Sequence, residues 1–107
     1  QRYGATPARL ADIWAYETSP HFTTAEKAAF DFTLAAAQVP NLVDEAISAR
    51  LREHWTDDEI VEILGVISLF GFLNRWNDSM GTTMEDGAVA AGETWLAPSG
   101  WSRGKHR

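Results

Sequence analysis

Residues 57–81 read DDEIVEILGVISLFGFLNRWNDSMG. From Ile60 to Leu73 only Glu62 and Ser68 interrupt a run of apolar residues and glycine. The run is too long for a strand, and Thr56-Asp57-Asp58-Glu59 ahead of it is a capping box, in which a hydroxyl and a carboxylate satisfy the first free amides of a helix. The three acids also suit the positive end of the helix dipole. Gly81 closes the segment in the position of a C-cap. The spacing therefore predicts a helix over about 57–80. Being apolar on nearly every side, it belongs at the centre of a bundle or in a subunit interface. Gly65 and Gly71 are expected where another backbone comes close. Asn74, Arg75, Trp76, Asn77 and Asp78 then break the run in one step, and polar groups at the inner end of a buried helix need partners.

Three more helices lie upstream. Thr6-Pro7 is a helix start, with a hydroxyl to cap and proline where its missing N–H costs nothing, and predicts a helix over about 8–17 with Leu10, Ile13 and Trp14 as its apolar stripe. Thr23-Thr24-Ala25-Glu26 is a second capping box, with Phe22 ahead of it as a hydrophobic staple. It opens a helix over about 25–38 with two apolar flanks: Ala28, Phe32, Ala35, Ala36 and Val39 on one, Phe30, Leu34 and Ala37 on the other. Pro40 stops it. A third helix, about 43–54, places Val43, Ile47, Leu51 and Trp55 on one face. Residues 82–107, with glycines at 87, 92, 100 and 104 and Pro98, form a long C-terminal tail with one short helix near 86–96. Trp95, Leu96 and Trp101 are too apolar to hang in water, so the tail should pack on the bundle of residues 1–81 or on a neighbouring subunit. The fold class is all-α.

Composition narrows the function. A formal net charge of −6 over 107 residues argues against a sequence-independent nucleic-acid binder. The one basic cluster is Arg103, Lys105 and Arg107. No run has the length of a membrane span and no leader opens the chain, so a soluble, cytoplasmic location is expected. The chain contains no cysteine, so it can build no disulfide, thiolate nucleophile or cysteine metal site of its own. His21, His54 and His106 stand apart from one another and from suitably spaced acids, so no metal or other cofactor is expected. His54 suits a helix C-terminus, as Glu26, Asp57, Asp58 and Glu59 suit helix starts. Neither Gly-x-Gly-x-x-Gly nor Gly-x-Ser-x-Gly occurs. The step Asn74, Arg75, Trp76, Asn77, Asp78 is thus the candidate binding site. Hydrogen bonds from these groups to the backbone of the tail are the competing, architectural reading.

Three stretches, SPHFTTAEKAAFDFTLAAA, LREHWTDDEIVEILGVISLFGFLNRWNDSMG and LAPSGWSRGKH, resemble the carboxymuconolactone decarboxylase and alkylhydroperoxidase D-like superfamily. The likeness covers essentially the whole chain. It implies an alkylhydroperoxidase D-like helical bundle that assembles into dimers, trimers or hexamers, with the active site near subunit contacts. In redox members a Cys-x-x-Cys pair followed by a His, with an upstream Glu in a proton relay, reduces peroxide. Those residues lie on a helix preceding the segment that resembles RYGATPARLADIW, so none of them has a counterpart among these 107 positions. The chain starts at Gln1 and on this resemblance is expected to be the C-terminal portion of such a protein. Its expected partners are further copies of itself, an upstream cysteine-bearing segment, and a small-molecule or peroxide substrate. A non-catalytic module for oligomerisation or small-ligand binding is the alternative.

Overall fold

The structure is a computed structural model, and it describes residues 4–104. Every regular element among them is helical. Five α-helices follow in order: α1 (Pro7–Ala11), α2 (Thr24–Ala36), α3 (Glu45–His54), α4 (Asp57–Met80) and α5 (Asp86–Ala91). They belong to two compact units. One is Phe22–Asn74, and the other joins the segment up to His21 with the segment from Arg75 onward.

In the Phe22–Asn74 unit, α2 and α3 pack on each other around Ala28, Phe32, Ala35 and Leu51, the last only 2% exposed. The capping box at the start of α2 is complete: the Glu26 amide donates to Thr23 Oγ1 at 3.1 Å, and the Thr23 amide donates to Glu26 Oε1 at 3.1 Å. Phe22 is buried just ahead of it, with its ring edge-on to Phe30 at 5.3 Å. The staple therefore closes on Phe30 rather than one turn in. Of the two apolar flanks expected on α2, only the Ala28–Phe32–Ala35 side is buried. Leu34 is exposed, and Val39 lies beyond the helix in solvent.

Hydrogen bonds in the connecting loop set the ends of α2 and α3, and one indole bond ties the two helices. The Leu42 amide donates to the Ala35 carbonyl at 3.0 Å and Asn41 Nδ2 to the Ala36 carbonyl at 3.4 Å, which ends α2 two residues before the expected Gln38. The Val43 amide donates to Asn41 Oδ1, and Asp44 Oδ1 caps the Ile47 amide, so α3 starts at Glu45 and not at Val43. At its far end the Trp55 indole N–H donates to the Ala25 carbonyl at 3.0 Å. The Arg50–Asp31 ion pair at 3.8 Å is partly exposed and adds little.

In the other unit, α1 is capped by Thr6, whose hydroxyl accepts from the Arg9 amide at 3.2 Å. It stops at Ala11, well short of the expected residue 17. The reason is tertiary: buried Ser19 donates to Asp12 Oδ2 at 2.8 Å while accepting from the His21 amide, and the chain between tightens into a 3-10 turn at Ile13–Ala15. Tyr16 is buried alongside. After Gly81, at φ 61°, the Thr82 amide donates back to the Asn77 carbonyl, which is the predicted C-cap. The single tail helix expected near 86–96 is α5 followed by one π-helical turn, Gly92–Leu96, which packs against α1. Gly92 is buried because the Trp101 ring lies over it: a Cβ there would sit 2.5–2.7 Å from ring atoms.

The expectation that α4 is enclosed is overturned within this chain. None of its residues is buried, and no element packs extensively along it. Val61 is 68% exposed, Phe72 63% and Trp76 59%. Gly65 and Gly71 have open space where a Cβ would point, so no backbone approaches them here. The physical reason is extent. Twenty-four residues make a rod of about 36 Å, whereas α2 and α3 are shorter and spend their apolar faces on each other.

Two substitutions separate packing from polar linkage in the α2–α3 pair. Leu51→Ala should cost about 2–5 kcal/mol, and Trp55→Phe, which removes the indole bond and some ring contact but keeps an aromatic side chain, less, about 0.5–1.5 kcal/mol. Urea unfolding followed by circular dichroism measures both, and equal costs would contradict this division.

Candidate functional site

The polar step lies on the last turns of α4, and helical periodicity divides it. Asn74, Asn77 and Asp78 continue the side that carries Ile60, Ile63 and Ile67, whereas Arg75 and Trp76 continue the opposite side, with Val61, Gly65, Ser68 and Phe72. Burial follows the same division. Ile60, Ile63, Ile67 and Asn77 are half-buried, and the residues on the opposite side are exposed. The five candidates therefore do not converge on one point. Asn74 and Asp78 stand one turn apart on one side, and Arg75 and Trp76 project from the other.

Asn74, Arg75, Trp76 and Asp78 are exposed. Solvent reaches the step directly, so the buried end that the sequence led us to expect does not exist in this chain. Among the described residues no buried side-chain nitrogen or oxygen lacks a hydrogen-bond partner. At this helix end the Thr82 amide donates to the Asn77 carbonyl at 3.2 Å.

The remaining candidates have structural roles where they are described. Glu59 and Thr56 complete the second capping box: the Thr56 amide donates to Glu59 Oε1 at 2.9 Å, and the Glu59 amide to Thr56 Oγ1 at 3.2 Å. Asp57 lies 3.8 Å from Arg52 on the surface. His54 occupies the last turn of α3 and His21 is exposed. Lys105, His106 and Arg107 lie outside the described residues. Among the described residues no three histidine or acidic side chains gather in a way that would hold a metal ion, and no helix is long and apolar enough to cross a membrane.

The sequence reading made α4 apolar on nearly every side but did not say which side meets water; in this chain Val61, Leu69, Phe72, Trp76 and Met80 face solvent. A contiguous face of this size is the kind of surface that marks an interaction site.

No protein-family profile and no solved structure matches this chain. Among curated proteins it is similar to "Uncharacterized protein YnjA" of Escherichia coli (strain K12), with 30% identity over 80 residues. The aligned region covers 75% of this chain and 43% of that relative, so the chain spans less than half of the relative's length.

Burial resets the expectation for Asn77. A fully buried hydrogen-bonded amide would cost about 1–3 kcal/mol on replacement by leucine. Half-buried, with solvent at hand, Asn77→Leu should change stability by no more than about 0.5 kcal/mol. Thermal unfolding measures this, and a loss above 1 kcal/mol would point to a partner for the amide that this chain alone does not supply.

Proposed function

We propose that this chain is the C-terminal helical portion of an alkylhydroperoxidase D-like, carboxymuconolactone decarboxylase-type protein. In this reading it helps to shape a pocket for thiol-dependent peroxide reduction, and the cysteines lie outside its 107 residues. The observation that carries the proposal is the order of motifs along one helix. The acid-rich cap, EIVEI, the apolar run and NRWND follow one another without a break on α4, in an all-helical chain. The greater length of the curated relative is compatible with a missing segment, although its name says nothing of activity.

The chemistry belongs to the absent dithiol. A thiolate attacks the peroxide O–O bond, releasing the alcohol or water and leaving a sulfenic acid. The second thiol condenses with it, expelling water and forming the disulfide. Two electrons pass from the dithiol to the peroxide, and an external reductant restores the thiols. A helical shell contributes by limiting access and lowering local polarity. Nothing in the present chain can carry the nucleophilic step, because it has no cysteine.

One observation favours the alternative of a non-catalytic assembly module: the best-formed surface feature is the apolar side of α4, not a cleft lined by polar groups. A peroxide-consumption assay in the presence of a dithiol reductant discriminates between them. The isolated chain should show no turnover. Adding a cysteine-bearing segment, as the upstream part of a longer chain or as a separate polypeptide, should restore it. Activity in the isolated chain would contradict the proposal, and inactivity of the joined protein would favour the assembly module.

A further inference from the structure

The helical run that begins with α5 ends in a turn of unusual register. Across Gly92–Leu96 the winding is π-helical: the Ala97 amide donates to the Gly92 carbonyl, whereas an α-helix would send it to the carbonyl of Glu93, one residue nearer. A turn of this kind is rare, and something specific has to hold it. The holding group comes from further along the chain. Gly100, at φ 98°, turns the backbone round, the Trp101 amide donates to the Leu96 carbonyl at 3.3 Å, and the Trp101 ring lies over Gly92 in the space a Cβ would need. Gly92 is thus both the floor under the ring and the acceptor of the π-helical bond.

We propose that Trp101 is a register latch: seated on Gly92 it holds residues 92–96 in the π-helical turn, and unseated it lets them return to the α register. This inference goes beyond the peroxide reading and does not depend on it. The coupling is geometric. If the Ala97 amide turned to the Glu93 carbonyl, everything beyond the turn would move round the helix axis by the rotation of one residue, about 100°. Gly100 and Trp101 would move with it, and the ring would leave Gly92. Seating of the ring and choice of register are therefore one equilibrium. Pro98 confines it to a single turn, because as a further helical residue its ring would meet the Thr94 carbonyl, so an α register has to end at Ala97. The general preference of a helix for the α register acts on one side, and burial of the indole ring against Gly92 acts on the other. What the latch controls is the surface of this turn. Trp95 and Leu96 are half-buried on it and α1 packs against it, so the register sets which side of the turn α1 meets.

Scalar NMR couplings across the hydrogen bond of the Ala97 amide identify its acceptor directly, in the full 107-residue chain. The parent should couple to the Gly92 carbonyl. In Trp101→Ala, which removes the ring, the coupling should shift to the Glu93 carbonyl. Gly92→Ala should give the same shift with Trp101 still present, because its Cβ takes the place of the ring and alanine suits an α-helix better than glycine. Amide signals of α2 and α3 that stay in place show that both variants fold. The proposal is overturned by a parent whose Ala97 amide couples to Glu93, or by a variant that keeps Gly92 as the acceptor. It is equally overturned by variants in which the Ala97 amide couples to neither carbonyl, since the ring would then hold the turn together without choosing its register.

Discussion

The constraint on which the rest of this molecule depends is the exposure of α4 to water. Fully burying a valine, leucine or phenylalanine side chain is worth about 1.5–3 kcal/mol relative to leaving it in solvent. Along this helix Val61, Leu69, Phe72 and Trp76 forgo most of that gain in the single chain. A small domain has only a modest margin of stability to offset such exposure. The α2–α3 pair, with Leu51 fully enclosed, forms a core of its own, and the Tyr16–Ser19 region with the Gly92–Trp101 contact forms another.

That constraint also changes the meaning of the polar step at the end of the helix. The half-buried Asn77 and the solvent-exposed Arg75 and Trp76 belong to opposite sides of one helix, so the five residues are not a binding constellation in themselves. Asn77 remains what its surroundings make it, the residue whose carbonyl anchors the C-cap at Gly81.

Local chemistry was legible in the sequence, and contact-dependent detail was not. The capping boxes at Thr23 and Thr56, the Thr6-Pro7 start and the glycine stop at residue 81 all involve atoms within a few residues, and each stands where the spacing placed it. The all-helical class followed from them. The end of α1 was not legible, because it is set by Ser19 reaching back seven positions to Asp12. The inner and outer sides of α4 could not be told apart by periodicity, since both are apolar. Gly65 read as a site where another backbone comes close, and in this chain open space surrounds it.

The central claim, that α4 stays open to water within this chain, is tested most directly by amide hydrogen exchange of residues 57–80 compared with that of α2 and α3. The account predicts weaker protection along α4 than in the α2–α3 pair around Leu51. Protection of α4 in this chain equal to that of α2 and α3 would contradict it.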